Sequence, residues 1–138
     1  MAFNHSVKIQ LRFADTDMLG HINNANFLTY MEVARMSYFQ RVFGNTIDWK
    51  KEGIILAKAV VEYKQPIFIE DDIHVHICID HISSKSFNMS YQFVKENTND
   101  KIIAAQGSTL MVCYDYIANH SIFMPQRWKE IISVFEGM

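Results

Sequence analysis

Between residues 24 and 43 the apolar side chains of this chain fall at helical spacing, and almost everywhere downstream they alternate instead. Phe27, Leu28, Met31, Ala34, Tyr38 and Val42 lie on one helical stripe, with Asn26, Thr29, Gln40 and Arg41 on the other sides. Such a stripe has to be buried against another element, and the rest of the chain offers strands. Val7, Ile9, Leu11 and Phe13 alternate with Lys8, Gln10 and Arg12, the period-2 pattern of a strand with one buried face. Ile54–Tyr63 is rich in β-branched residues. Ile73, Val75, Ile77 and Ile79 alternate with polar neighbours, as do Phe87, Met89, Tyr91 and Phe93. After the turn "ENTND" a long strand runs from Ile102 to Tyr114, and Pro125 opens a short helix with Trp128, Ile131, Ile132 and Phe135 on its apolar face.

The order is therefore strand, long helix, four strands, short helix. Consecutive strands joined by short turns predict an antiparallel sheet, and the fold class is α+β, with the long helix laid on that sheet. The helix is expected to start near Asn24, capped by Asn23 or Asn24, and to stop at Gly44-Asn45. Glu32 and Arg35, three apart, are expected to pair on its surface.

The chain has 138 residues, which predicts a single domain over residues 1–138. A formal charge of −2 gives no basic footprint, so nucleic acid is not an expected partner. The aromatic share of 13% predicts a thick core or a subunit interface, hence a homo-oligomer. Cys78 and Cys113 each sit in an apolar strand and read as reduced, buried thiols, with a cross-strand disulfide as the alternative. The first residues lack a signal-peptide pattern, and no apolar run nears the roughly 20 residues of a membrane span. The expectation is a cytoplasmic protein.

Chemistry concentrates in "DTDMLGHINNANFLTYMEVAR", residues 15–35. Two aspartates, a glycine, a histidine and paired asparagines stand directly before the long helix. The first N–H groups of a helix lack internal partners and carry the positive end of its dipole. Aimed at a carbonyl, they stabilise the negative charge that develops when it is attacked. A nearby carboxylate can attack that carbonyl or deprotonate a water that does. Thioesters suit such a site, because a thiolate leaves without a strong general acid: its conjugate thiol has a pKa of about 8.5. The same residue types also cap and turn, and residue types alone do not separate Asp15 from Asp17 as the reactive carboxylate.

Other candidates carry less. His74 and His76 share a strand face, but a third ligand is missing, and zinc needs at least three from the protein. No metal or separate cofactor is expected. Lys85 and Ser86, at a strand-to-strand turn, are candidates for meeting the phosphates of coenzyme A, with Lys58 and Lys64 weaker ones.

The run "RFADTDMLGHINNANFLTYMEVAR" resembles the signature of hotdog-fold acyl-CoA thioesterases of the hydroxybenzoyl-CoA thioesterase type, through Asp17, Gly20, Asn26, Phe27, Glu32, Ala34 and Arg35. Downstream, "VEYKQPIFIEDDIHV" is similar to the family's second-to-third strand region in a more general way. The resemblance implies a hotdog fold, an antiparallel sheet wrapped around one long helix. It also implies an acyl-CoA substrate and dimers, often paired into tetramers, with active sites at the dimer interface. It favours Asp17 as the catalytic carboxylate, puts the backbone N–H of Asn24 in the oxyanion position, and leaves Asp15 to the turn. His21 becomes a support for the carboxylate or the water. Asn23, Phe27 and Glu32 go to substrate binding, with Glu32 supporting the loop rather than reacting. "GHINNANF" is similar to the branch that acts on aliphatic rather than aromatic acyl thioesters. A hotdog dehydratase and a non-catalytic acyl-thioester binder are the alternatives.

Overall fold

In the computed structural model, residues 2–138 are described. The elements are β1 (His5–Lys8), a 3-10 turn (Phe13–Asp15), α1 (Asn26–Phe43), β2 (Glu52–Tyr63), β3 (Ile73–Ile82), β4 (Ser86–Lys95), β5 (Ile102–Asp115), β6 (His120–Ser121) and α2 (Gln126–Glu136). The strands form one antiparallel sheet in the order β1-β3-β4-β5-β2, and β6 pairs with β5. This is the predicted helix-on-sheet arrangement.

The alternating pattern explains how the sheet meets the helix. Ile73, Val75, Ile77 and Ile79 on β3 and Phe87, Met89, Tyr91 and Phe93 on β4 are all buried beneath α1. The helix runs along β4, with Phe27 against Phe93 at one end and Phe39 against Phe87 at the other. Trp128 and Ile132 of α2 complete the core, with Ile131 and Phe135 partly buried beside them. Cys78 and Cys113 are free and buried, which settles the disulfide alternative, and burial pushes their thiols up to about 12 and about 11.

Three local expectations are corrected. The first strand ends at Lys8 rather than Phe13, because the chain turns into the 3-10 segment, and Phe13 is 85% exposed instead of buried. The helix starts at Asn26, slightly later than expected, and neither Asn23 nor Asn24 caps it: Ala25 holds the cap position without a side-chain bond, and the Asn23 side-chain oxygen closes a turn ahead of the helix by accepting the Ala25 N–H at 3.0 Å. Glu32 and Arg35 do not pair: Arg35 turns inward to Tyr91 on β4 and is buried. Helical spacing of apolar residues does not reveal that the buried stripe extends to an arginine.

Gly107 on β5 marks a close approach of helix and sheet. A Cβ there would lie 2.9 Å from Cε of Met31 and 3.0 Å from the carbonyl oxygen of Val60, and that oxygen belongs to a paired strand that cannot swing away. Gly107→Val is expected to lower the unfolding free energy by about 1–3 kcal/mol through overpacking. Urea denaturation of the two proteins measures it.

Candidate active site

The site is built where the chain passes from the 3-10 turn into α1, and Asp15 is its anchor. Its carboxylate takes a 2.8 Å ion pair from Arg12 and a 2.6 Å hydrogen bond donated by the Tyr30 hydroxyl. The three-residue spacing of Arg12 and Asp15 suits a 3-10 turn, where residues i and i+3 stand one above the other. The Asp15 carbonyl accepts from the Asn23 N–H at 2.8 Å and from the Asn26 side chain at 2.9 Å. Asp15 therefore joins the 3-10 turn, the loop that follows it and the start of α1. Arg12 and then Tyr30 hold its carboxyl below the usual carboxylate range, and burial and Asp15 keep the Tyr30 phenol protonated.

Asp17, two residues on, has the opposite environment. It is exposed, and one carboxylate oxygen, Oδ1, accepts from the Leu19 N–H at 2.9 Å and the His21 N–H at 3.2 Å. Its own N–H donates to the His21 carbonyl at 2.7 Å, and Gly20, with φ +80, closes the turn by donating to the Asp17 carbonyl at 3.1 Å. A side chain at that φ is strained, which is why a glycine suits the turn. The second oxygen, Oδ2, makes no hydrogen bond to the described residues. The carboxylate is thus held by one oxygen and presents the other.

Asp17 lines a cleft of about 420 Å³ together with His21, Asn24, Phe27, Tyr63 and Lys64. The Asn24 carbonyl accepts from the Phe27 N–H at 3.2 Å and from the Tyr63 hydroxyl at 3.1 Å. Among the described residues the Asn24 N–H has no acceptor. Phe27, 2% exposed, is the cleft floor and packs edge-on against Tyr63. The His21 ring stands edge-on to Phe68 at 5.0 Å rather than bonding to Asp17.

The far wall, Pro66 and Ile67, is secured by a group that sequence reasoning missed. Lys95, buried at the end of β4, donates to the Pro66 carbonyl at 2.8 Å and pairs with Asp71 at 3.1 Å. Asp71 in turn accepts from the Phe68 N–H at 2.8 Å, and the Ile22 N–H fastens the Asp17 loop to the Ile67 carbonyl at 2.7 Å. A lysine closing an apolar run ("YQFVK") was the available signal.

The structure brings Asp17, His21, Asn24 and Phe27 together, with Asn23 shaping the loop behind them. It does not bring in Glu32, which stands exposed on α1. Lys85 and Ser86 also lie outside the cleft, at the other end of β4: Ser86 pairs with Val112, whereas the cleft end of β5 is at Ala105. The intervening length of strand puts them roughly 20 Å apart. Lys64, ranked below Lys85 on sequence, does line the cleft. His74 and His76 contact Asp72 and Glu96, both at 3.3 Å, and among the described residues no three His, Cys, Asp or Glu gather as a metal site.

A long helix cradled by an antiparallel sheet, with a carboxylate loop at the helix start, defines the hotdog class of folds. The chain belongs to the thioesterase-like superfamily, whose family model matches residues 11–132. A thioesterase from Thermus thermophilus, solved with coenzyme A and zinc, is similar over 99% of this chain and 96% of its own, at 30% identity and a TM-score of 0.84. A 1,4-dihydroxy-2-naphthoyl-CoA hydrolase of Crocosphaera subtropica is 27% identical over 110 residues, 75% of each chain. The Bacillus subtilis protein YsmA is 26% identical over 91 residues, 65% of this chain and 60% of that protein.

Asp15 and Asp17 are distinguishable by titration. A folded-state pKa below the unfolded value of about 3.9 means that the Asp15 ion pair stabilises the fold above that pH, and that this contribution fades as pH falls through the folded pKa. Asp15→Asn is expected to lower the urea midpoint clearly at pH 7, with the gap to wild type narrowing below about pH 4. A gap independent of pH would show that the charge on Asp15 contributes nothing.

Proposed function

We propose that this protein hydrolyses acyl-CoA thioesters to the free acid and coenzyme A at the Asp17 cleft. The observation that carries the reading is a pairing within one cleft: a carboxylate with one oxygen unengaged, and a backbone N–H at a helix start without an acceptor among the described residues. The thioester carbonyl oxygen would point at the Asn24 N–H. Asp17 Oδ2 would take a proton from water as the water oxygen attacks the carbonyl carbon, and the resulting oxyanion would be held by Asn24 and the helix dipole. Collapse breaks the C–S bond, coenzyme A leaves as thiolate, and the proton passes from Asp17 to it. In the nucleophilic variant Oδ2 attacks the carbonyl itself, and water then hydrolyses the mixed anhydride. In single turnover with isotope-labelled water, label in the Asp17 carboxylate identifies the anhydride route, with water attacking the Asp17 carbon of the anhydride.

The fixed loop supports this assignment. Two N–H groups on Oδ1 aim the carboxylate without using its reactive oxygen, and the Tyr63 hydroxyl on the Asn24 carbonyl orients that residue. His21 is read as support through its backbone N–H. Phe27, Leu19 and Ile22 give the cleft an apolar lining for the first part of the acyl chain. Two free, buried thiols suit a reducing cytoplasm.

The functional unit is proposed to be a homodimer joined along β2. That strand spans twelve residues and pairs on one side only, with β5, leaving a long unpaired edge of a kind proteins seldom leave open. A twofold junction runs the two β2 strands antiparallel. Each cleft, at the Tyr63 end of its own β2, then lies beside the Glu52 end of the other, where the partner subunit's Lys85 and the partner subunit's Ser86 stand. That brings in the phosphate contacts one protomer lacks.

Asp17→Asn is expected to lower kcat for thiol release by roughly 10²–10⁴-fold while the fold melts normally. Full activity in the variant would remove Asp17 from the chemistry. A wild type that converts 3-hydroxyacyl thioesters without releasing thiol would instead be a dehydratase, and one that binds without turnover a carrier. Lys85→Ala is expected to raise KM several-fold for acyl-CoA and not for the same acyl group on N-acetylcysteamine, which has no phosphates. Equal effects on both would exclude a phosphate contact.

A further inference from the structure

Arg35 presents an unsolved electrostatic problem within the protomer. It is 6% exposed, and its one hydrogen bond goes from Nη1 to the Tyr91 hydroxyl at 3.3 Å. That hydroxyl shares a further hydrogen bond with Thr109 at 2.7 Å, so the guanidinium meets neutral oxygens only. Among the described residues no carboxylate lies within ion-pair range of it. A buried charge without a counter-charge is costly, and native structures usually pair it. Among the described residues, the fully buried side-chain atoms that make no hydrogen bond are Trp128 Nε1 and Asp72 Oδ1. The Arg35 nitrogens that make no hydrogen bond therefore still touch solvent, so an anion can reach them from outside.

One turn earlier on the same helix, Glu32 is the complementary case: exposed, with no ion pair among the described residues. Helical spacing puts both on the flank of α1 away from Ser37 and Arg41, which meet β1, and β2 is the sheet edge opposite β1. Through Tyr91, Arg35 is linked to Thr109, which is paired with Ala59, close to the middle of that strand. Along the same flank Leu28 and Leu56 are nearly half exposed, an apolar surface left open beside an unpaired strand edge. On the β1 side the helix is already engaged, through Ser37 and Arg41 with His5.

We propose that Glu32 of each protomer pairs with Arg35 of the partner subunit, across a twofold axis that crosses the β2 edges near Ala59. This rests on the β2 dimer proposed above and specifies what holds it in register. Two copies of α1 related by such an axis run antiparallel, so a residue before the axis on one helix stands level with one after it on the other. Residues 32 and 35 stand about 4.5 Å apart along an α-helix, and they come level when the axis passes between them. An isologous contact repeats itself, so one complementary couple on the sequence makes two ion pairs per dimer. The buried cation gains its carboxylate only on assembly, which ties the protomer's electrostatic balance to the dimer.

The test uses charge reversal in mixtures. In the Glu32→Arg homodimer the introduced cation faces Arg35, and in the Arg35→Glu homodimer the introduced carboxylate faces Glu32. A heterodimer satisfies both couples when one chain supplies both cations and the other both carboxylates. That is the case here: the Glu32→Arg chain carries two cations and the Arg35→Glu chain two carboxylates, so both couples are satisfied. Sedimentation of the full chain is expected to show each variant dissociating at least ~10-fold more readily than wild type, and the equimolar mixture returning to near the wild-type dissociation constant. A couple within one helix would not be restored by mixing. Mixtures no tighter than the separate variants would therefore overturn the pair while leaving the dimer. A monomeric wild type would overturn the dimer and the pair together, and thiol release by Asp17 is assayed independently of either. If Arg35→Glu does not fold, Arg35→Gln placed in the Glu32→Arg background serves in its place. It removes the facing cation and is expected to recover dimerisation lost in Glu32→Arg; no recovery overturns the proposal.

Discussion

The junction at Asp15 is the interaction on which the arrangement of the site depends. A 3-10 turn, a loop and a long helix follow one another, and one buried aspartate ties all three together. Its carboxylate takes Arg12 from the turn and Tyr30 from the helix, and its carbonyl takes Asn23 and Asn26 from the helix start. Hydrogen bonds to a charged group are among the stronger ones, and removing a single member leaves others unsatisfied in a buried place. With this junction closed, the loop from Thr16 to Ile22 has little freedom: its ends bridge each other and Ile22 is tied to Ile67. Asp17 projects from that loop into the cleft because the surrounding backbone has no other course.

This explains why two aspartates separated by one residue have different fates. Residue types leave both as candidates, and continued strand alternation would point them the same way. The 3-10 turn breaks the alternation: Asp15 goes inward to a cation and a phenol, and Asp17 goes outward with its inner oxygen held by backbone N–H groups. A loop of capping residues ahead of a helix is visible in the sequence, and it points to the segment that lines the cleft. Which carboxylate is exposed depends on a change of backbone conformation that periodicity does not report. Family resemblance favours Asp17, and the geometry separates the two aspartates independently of that resemblance.

Legibility elsewhere follows the same physical division. β3 and β4 are readable residue by residue because each has one face under α1 and one facing outward, so burial enforces the alternation. The stop at Gly44 is readable because the chain turns there through a positive φ, +55. Arg35 and Lys95 are not readable as buried groups. Both are long cations whose burial depends on partners distant in sequence: Tyr91 for the first, Pro66 and Asp71 for the second. Local pattern treats such residues as surface, and only the register of strands brings their partners together. The short pairing of His120–Ser121 with β5 escapes a sequence reading for a related reason, since two residues are too few to carry a period.

The location of the cleft connects these features. It opens at the Tyr63 end of β2, the strand with the unpaired edge, and Tyr63 itself both packs on Phe27 and donates to the Asn24 carbonyl. Whatever covers that edge therefore also presses on the residue that orients Asn24. Lys95 and Asp71 hold the opposite wall from within the protomer, so that wall is rigid without help. The β2 side is fastened by neutral groups instead, through the Tyr63 hydroxyl on Asn24 and the Lys64 and Gln65 N–H groups on the Ala104 carbonyl, and much of the strand is exposed. If two chains join along β2, their assembly and the alignment of a carbonyl at Asn24 are one structural event. The protomer alone then has the reactive groups without the support that would hold them still.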